Sequence, residues 1–208
     1  MTLLFHHIPK TGGTFVIRSL EGSGLSHQRI FFWKSVPDPG DFELFSSHHA
    51  LHPGKCRRNF ENPFWFTWLR NPVDVFYSAF HYYREKFPEE LIAKTPPLLR
   101  TQITKIKAAE SLAQYAETVR SPYPCGWYPV NLDVFDFIGT AETIEKSLER
   151  LSERIGIRLK VATAETNRGS YDRSERPSED RIRPLLRAES LAWLAVLAAR
   201  DADPKHAE

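Results

Sequence analysis

The N-terminal segment, residues 1–24, constrains the fold of this chain more than any other segment. Residues 2–8 form a short apolar run that ends at a proline, which predicts a buried strand followed by a turn. After a loop with two adjacent glycines, residues 13–22 carry apolar side chains at helical spacing, with Thr14 able to cap the helix and Gly22 or Gly24 able to end it. A strand, a glycine-containing loop and a helix in this order are typical of α/β proteins.

In the rest of the chain, short aromatic-rich runs alternate with segments whose apolar residues recur at helical spacing. Further strands are predicted at 29–33, 42–47, 64–69 and 134–140, and further helices at 73–87, 101–119, 141–156 and 181–200. Pro72 suits the first turn of the helix that starts there. The alternation predicts an α/β fold with a P-loop-like central parallel sheet flanked by helices.

Length and composition limit the domain number and the cellular location. The 208 residues are 41% hydrophobic, which predicts one core and a single domain over residues 1–208. The formal net charge of +2 gives no reason to expect nucleic acid as a partner, although a local basic pocket for an anion stays open. Neither a signal peptide nor a membrane span is evident, and Cys56 and Cys125 lack a metal or disulfide spacing. We therefore expect a cytoplasmic protein.

Residues 7–14, which read HIPKTGGT, carry the parts of a phosphate or sulfate cradle. Gly12 and Gly13 let the backbone approach a ligand closely, the helix N-terminus offers N–H groups and a positive dipole end, and Lys10 adds a full charge. In the loop of nucleoside triphosphatases the lysine follows the glycines, whereas Lys10 precedes them, which disfavours a kinase or GTPase. A glycine turn before an ordinary helix, with a solvated lysine, is the alternative that this motif leaves open.

A second motif places an arginine at the end of an apolar strand and a serine in the helix that follows. Pro72 begins this helix, and Ser78 lies six residues further on and faces back toward the strand end. Arg70 and Ser78 can therefore hold one anion together, the guanidinium as a fork and the hydroxyl as a single donor. The alternative is an ion pair of Arg70 with Asp74, with Ser78 as a packing residue.

With these two motifs the sequence resembles sulfotransferases that use 3′-phosphoadenosine 5′-phosphosulfate (PAPS), specifically carbohydrate sulfotransferases related to the heparan sulfate 2-O and 6-O enzymes and their bacterial relatives. In that family the loop that matches Pro9–Thr14 holds the 5′-phosphosulfate, and the pattern that matches Arg70, Pro72 and Ser78 holds the 3′-phosphate. A weaker likeness covers residues 135–139 and 165–168. The closing helix departs from the family pattern, and this departure leaves the acceptor open.

The resemblance implies transfer of a sulfuryl group from PAPS to an acceptor hydroxyl, on a carbohydrate or glycoconjugate, by in-line displacement without a metal. It implies adenine contacts from residues 164–172. Lys10 is expected to act in catalysis by stabilising the charge that develops on the departing nucleotide phosphate. The polar, proline-containing sequence after residue 87 predicts an acceptor-side insertion at 88–130. Two alternatives stay open: a P-loop-type kinase of a small hydroxyl substrate, and a non-catalytic nucleotide-binding protein. The residues expected to bind the donor are Pro9, Lys10, Thr11, Gly12, Gly13, Thr14, Phe15, Arg70, Ser78 and Arg168.

The general base is expected among the histidines that follow the predicted strand 42–47. Sulfuryl transfer requires removal of the acceptor proton, histidine is a usual base, and α/β sheets present reactive groups where their strands end. His48 is the first choice and His49 the second, since relatives place a catalytic histidine after a comparable strand. His6 and His7 lie beside the cradle, but alternation along a strand lets at most one of them face a nucleotide.

Overall fold

Five short strands form an all-parallel sheet. They are β1 (Leu3–His6), β2 (His27–Arg29), β3 (Leu44–Ser47), β4 (Phe64–Leu69) and β5 (Phe137–Thr140), and their spatial order is β2-β3-β1-β4-β5. The computed structural model describes residues 1–29, 42–48, 60–95, 97–118, 132–162 and 179–201. The parallel sheet and the helices that flank it confirm the predicted α/β class. The more specific likeness to a P-loop fold stays a prediction.

Among the described residues, one helix follows β1, four follow β4 and three follow β5. In chain order they are α1 (Gly13–Gly22), α2 (Pro72–His81), α3 (Glu89–Ile92), α4 (Pro97–Ala108), α5 (Leu112–Thr118), α6 (Ile144–Ile155), α7 (Glu179–Ile182) and α8 (Arg187–Asp201). A π-helical turn, Tyr82–Lys86, follows α2, and a 3-10 turn, Arg183–Leu186, links α7 to α8. In the described part of the chain, no helix combines the length and the apolar character that a membrane crossing requires.

The chain divides into two compact units, each with its own core. Unit 1 contains Met1–Arg70 and Asn131–Asn167, and unit 2 contains Asn71–Val130 and Arg168–Glu208. The single domain expected over residues 1–208 stays a prediction.

Unit 1 is built on the sheet. Nearly every residue of the four longer strands is buried, as expected of parallel strands, which are usually covered on both faces. Helices α1 and α6 cover one face, where Val16, Leu20, Leu148 and Leu151 join strand residues such as Phe5. On the other face Leu4, Phe45, Phe60 and Trp65 form a smaller hydrophobic cluster.

Unit 2 is helical, and its core forms along α2. Asn71 caps this helix through its Oδ1, which accepts from the Val73 N–H at 3.0 Å, and Pro72 occupies the first turn as predicted. The buried cluster contains Val73, Val75, Phe76, Tyr77, Ala79, Phe80, Tyr83, Ile103, Ile106, Ala109, Leu112, Tyr115, Ala116, Ile182 and Leu186.

Several predicted boundaries differ from those of the structure for local reasons. The helix predicted at 101–119 is two helices, because Ser111 Oγ accepts from the Gln114 N–H at 3.2 Å and starts a new helix. The helix predicted at 181–200 is interrupted at Pro184, which has no N–H to donate. Arg29, the first residue of the strand predicted at 29–33, is the last residue of β2. Residues 30–33 lie outside the described residues.

Candidate functional site

The order of the strands gathers three predicted parts of the site at one edge of the sheet, where the carboxyl ends of the strands lie. Strand β1 lies between β3 and β4, and all three run parallel. The predicted phosphate loop, within residues 7–14, follows β1, His48 follows β3 and Arg70 follows β4. The chain order also reverses at β1, since β2 and β3 lie on one side of it and β4 and β5 on the other. This edge is where open α/β sheets bind their ligands.

The phosphate loop holds an unusual backbone conformation. Lys10 has φ 69° and Gly12 has φ 87°, whereas Thr11 between them is not left-handed. Alternation of this kind turns successive N–H groups toward one side and is the pattern of anion-binding nests. Thr11 is fully buried, and its hydroxyl donates to the Ile8 carbonyl at 2.8 Å, which fixes the turn from inside.

The cap expected at Thr14 is wrong. Helix α1 begins at Gly13, and its cap residue is Gly12, whose left-handed φ turns the chain into the helix without a side-chain hydrogen bond. The Gly12 carbonyl accepts from the Phe15 and Val16 N–H groups at 3.0 and 3.3 Å. Thr14 is therefore exposed within the first turn, and the half-buried Phe15 packs against the core of unit 1.

Both glycines of the loop are required by their neighbours. A Cβ on Gly12 would lie 2.9 Å from Ile144 Cδ1 and would also strain the left-handed backbone. A Cβ on Gly13 would overlap the imidazole ring of His7. The loop is thus packed against α6 on one side and against a histidine on the other.

Arg70 braces the phosphate loop. Its Nη1 donates to the Lys10 carbonyl at 3.3 Å, so it contacts the residue that carries the positive charge of the loop. Pro9 and Lys10, which belong to the same loop, are half-buried. Ser78 is buried in α2 of unit 2, and the anion contact expected of Arg70 with Ser78 stays a prediction.

His48 is half-buried at the end of β3, and its tautomer follows from its hydrogen bond. Its Nδ1 lies 2.8 Å from the carbonyl oxygen of His7. A carbonyl only accepts, so Nδ1 is the donor, and in the neutral ring Nε2 carries the lone pair. His48 is therefore held in the tautomer that can take a proton at Nε2. The runner-up, His49, lies outside the described residues, as do residues 164–172 with Arg168.

His7 is buried between the loop and His48. Its ring stacks on Phe5 with centroids 5.3 Å apart, and it meets the His48 ring at 4.3 Å. Burial lowers the pKa of His7 well below its usual value, and His48, Arg29, His6 and His27 lower this pKa further. We therefore expect His7 to be neutral at neutral pH. The ring of His6 contacts Phe135 instead, on the other face of the sheet.

We expect acid to destabilise the protein in part through His7. Below pH 6.5 the unfolded chain protonates this residue while the folded chain does not, so the free energy of unfolding decreases by up to about 1.4 kcal/mol for each unit by which the pH is lowered. His7→Phe removes this proton uptake and should flatten the slope. Urea denaturation of both proteins from about pH 5 to pH 7.5 measures the difference, and equal slopes would contradict it.

A hydrogen-bonded chain beside the site was not anticipated from the sequence. Glu21 Oε1 lies 2.7 Å from His27 Nδ1, and His27 Nε2 lies 2.8 Å from Ser46 Oγ. These residues come from α1, β2 and β3, so only the pairing of strands brings them together. Arg29, which is exposed at the end of β2, was not predicted as a site residue, because its segment showed only the pattern of a strand.

No protein-family model and no curated protein matches this chain. Among the residues that the structure describes, no cluster of histidine, cysteine or acidic side chains is suited to hold a metal ion.

Proposed function

We propose that this protein is a sulfotransferase that moves a sulfuryl group from PAPS to an acceptor hydroxyl on a carbohydrate or glycoconjugate. The observation that carries the proposal is the sharing of one sheet edge by the phosphate loop after β1 and the oriented imidazole of His48 after β3. An anion cradle beside an oriented imidazole has both functions that sulfuryl transfer from a nucleotide needs.

The phosphate loop is the proposed site of the 5′-phosphosulfate. Lys10 supplies a full positive charge, and α1 has ten residues, enough for N–H groups and a dipole at its N-terminus. The left-handed φ of Lys10 is uncommon for a residue with a side chain, and such strain is found most often at functional sites. Arg70 supports the loop through the Lys10 carbonyl and adds a second cation at this edge.

In the proposed reaction the acceptor oxygen attacks sulfur in line with the bond to the nucleotide phosphate. As the new S–O bond forms, His48 Nε2 takes the hydroxyl proton, and the bond between sulfur and the phosphate oxygen breaks. The adenosine 3′,5′-bisphosphate (PAP) leaves with an added negative charge, which Lys10 and the loop N–H groups stabilise. His7 stays neutral and does not compete for the proton.

The donor is tested by calorimetric titration with PAP, ADP and AMP. We expect PAP to bind more tightly than ADP or AMP, because the loop and Arg70 would engage separate phosphates. Lys10→Gly should weaken PAP binding roughly 10–100-fold, the value of one lost charge-assisted hydrogen bond. Glycine accepts the left-handed φ at position 10, so this variant removes the charge and keeps the loop conformation.

The matched control is Lys160→Ala, which removes the same charge elsewhere in unit 1. The Lys160 N–H donates to Ser23 Oγ, just beyond the C-terminal end of α1, so this variant should bind PAP as the wild type does. Equal affinity for all three nucleotides, or none, would refute the assignment of the donor. Preference for ADP would favour a kinase, and PAP binding without transfer to any saccharide would favour a non-catalytic nucleotide-binding protein.

A further inference from the structure

The imidazole of His7 touches both parts of the proposed site. On one side it fills the space that a Cβ of Gly13 would occupy, directly beneath the start of α1. On the other side it meets the ring of His48 at 4.3 Å, with 39° between the ring planes. The backbone of the same residue accepts the hydrogen bond that sets the tautomer of His48. One residue therefore connects the loop to the base through two separate contacts.

We propose that His7 is a positioning residue that couples occupancy of the phosphate loop to the orientation of the His48 ring. The inference rests on the proposed function, because it requires an anion to bind in the loop. It assigns to His7 a role in aligning the base, with no contact to the substrate.

The packing around His7 explains how a movement would pass through it. Its ring lies parallel to Phe5 at an interplanar angle of 9°, and Phe5 in turn stacks on Phe66 at 4.9 Å, so the ring rests on a rigid aromatic row. The residue is 8% exposed and has little space to yield. If Gly13 shifts when the N–H groups of the loop close on an anion, the His7 ring must therefore move. Among the described aromatic contacts, the ring on the other side of His7 is that of His48.

The charges around His7 suit a mechanical link. The cationic or titratable groups that act on it are His48 after β3, Arg29 and His27 in β2, and the neighbouring His6. Burial is the main cause that disfavours a positive charge on His7, and all of these groups disfavour it further, so the ring stays neutral while His48 accepts a proton. A neutral ring can transmit a displacement of the loop without repelling a protonated base.

Nuclear magnetic resonance of protein with ¹⁵N-labelled histidine tests the coupling. The ring nitrogen signals of His48 report its tautomer and environment, and their loss in His48→Asn assigns them. Saturation with PAP should shift these signals in the wild type. In His7→Ala the shift should be largely lost, although the backbone carbonyl at position 7 still holds the Nδ1–H tautomer of His48. His7→Phe keeps a ring in contact and should restore most of the shift.

The control is His27→Gln, which removes another histidine from the same face of the sheet. His27 contacts Glu21 and Ser46, so the response of His48 to PAP should be unchanged. A kinetic readout separates alignment from binding. Misplacement of the base in His7→Ala should lower kcat by up to roughly 100-fold while the KM for PAPS changes much less, and His7→Phe should recover most of kcat.

The outcomes separate this inference from the proposed function. If the wild type does not bind PAP, both fail together. If PAP binds but the His48 signals stay in place, or move equally in His7→Ala, the coupling is wrong and the donor assignment stands. Should His7→Ala not fold, the wild-type titration and His7→Phe decide alone, since unmoved His7 and His48 signals at saturating PAP overturn the inference.

Discussion

Replacing His48 with asparagine should lower the rate of sulfuryl transfer by about 10²–10⁴-fold, the usual contribution of a positioned general base. The amide nitrogen of asparagine can take the place of Nδ1 and still donate to the His7 carbonyl, which His48 Nδ1 contacts at 2.8 Å. The variant therefore keeps the local hydrogen bond and lacks only the basic Nε2. Transfer of ³⁵S-sulfate from labelled PAPS to a panel of saccharides measures the loss, and PAP affinity should be unchanged.

The control for this experiment is His27→Asn, because His27 lies on the same side of the sheet and bonds to Ser46 rather than to the loop. Its rate should stay within several-fold of the wild type. The low-pH fall of kcat/KM that protonation of the base produces should disappear in His48→Asn. A rate for His48→Asn within a factor of about ten of the wild type would show that another residue removes the proton.

Replacing Gly13 with alanine should lower the free energy of unfolding by about 1–3 kcal/mol, the usual cost of inserting a group into a packed site. The new Cβ would overlap the ring of His7, and this ring cannot move aside easily because it is stacked on Phe5 and contacts the tilted ring of His48. The start of α1 must then shift, so PAP binding should weaken as well. Urea denaturation and PAP titration measure the two effects.

The same substitution elsewhere in α1 should have the opposite effect. Gly22 is the last residue of the helix, and a Cβ there would meet nothing within 4 Å. Gly22→Ala should therefore stabilise the protein by about 0.5–1 kcal/mol through helix propensity. In a His7→Ala background Gly13→Ala should cost little, because the overlapping ring is gone. An equal cost of Gly13→Ala in both backgrounds would show that the ring is not the cause.

The elements predicted best are those whose limits are set by their own residues. Strand β4 begins after Pro63 and ends before Asn71-Pro72, and its predicted and observed bounds agree at Phe64–Leu69. Helix α1 also has its predicted bounds, since glycines stand at both ends. In each case proline, glycine or asparagine sets the limit through local backbone restrictions, which hold wherever the element lies in the fold.

Besides the local misses at Ser111 and Pro184, predictions failed where a contact between distant residues sets the boundary. The strand expected from residue 134 begins only at Phe137, because Asp136 Oδ2 accepts from the Trp65 N–H at 2.7 Å and the Asp136 N–H donates to the Trp65 carbonyl at 2.8 Å. These bonds join residues 71 positions apart. The cap at Gly12 was missed for a similar reason, since the space left by Ile144 and His7 selects the glycines of the loop.

The sequence by itself determined the order of strand, glycine loop and helix, the α/β class, and the residue types able to bind an anion and accept a proton. The tertiary structure alone decided that the phosphate loop, His48 and Arg70 share one edge, because β1 pairs with both β3 and β4, which lie far along the chain from it. It alone also decided the tautomer of His48 and the position of His7 between loop and base. Side-chain contacts of this kind depend on which strands pair. Paired parallel strands are joined by long connections, so the local sequence of one strand does not reveal its partner.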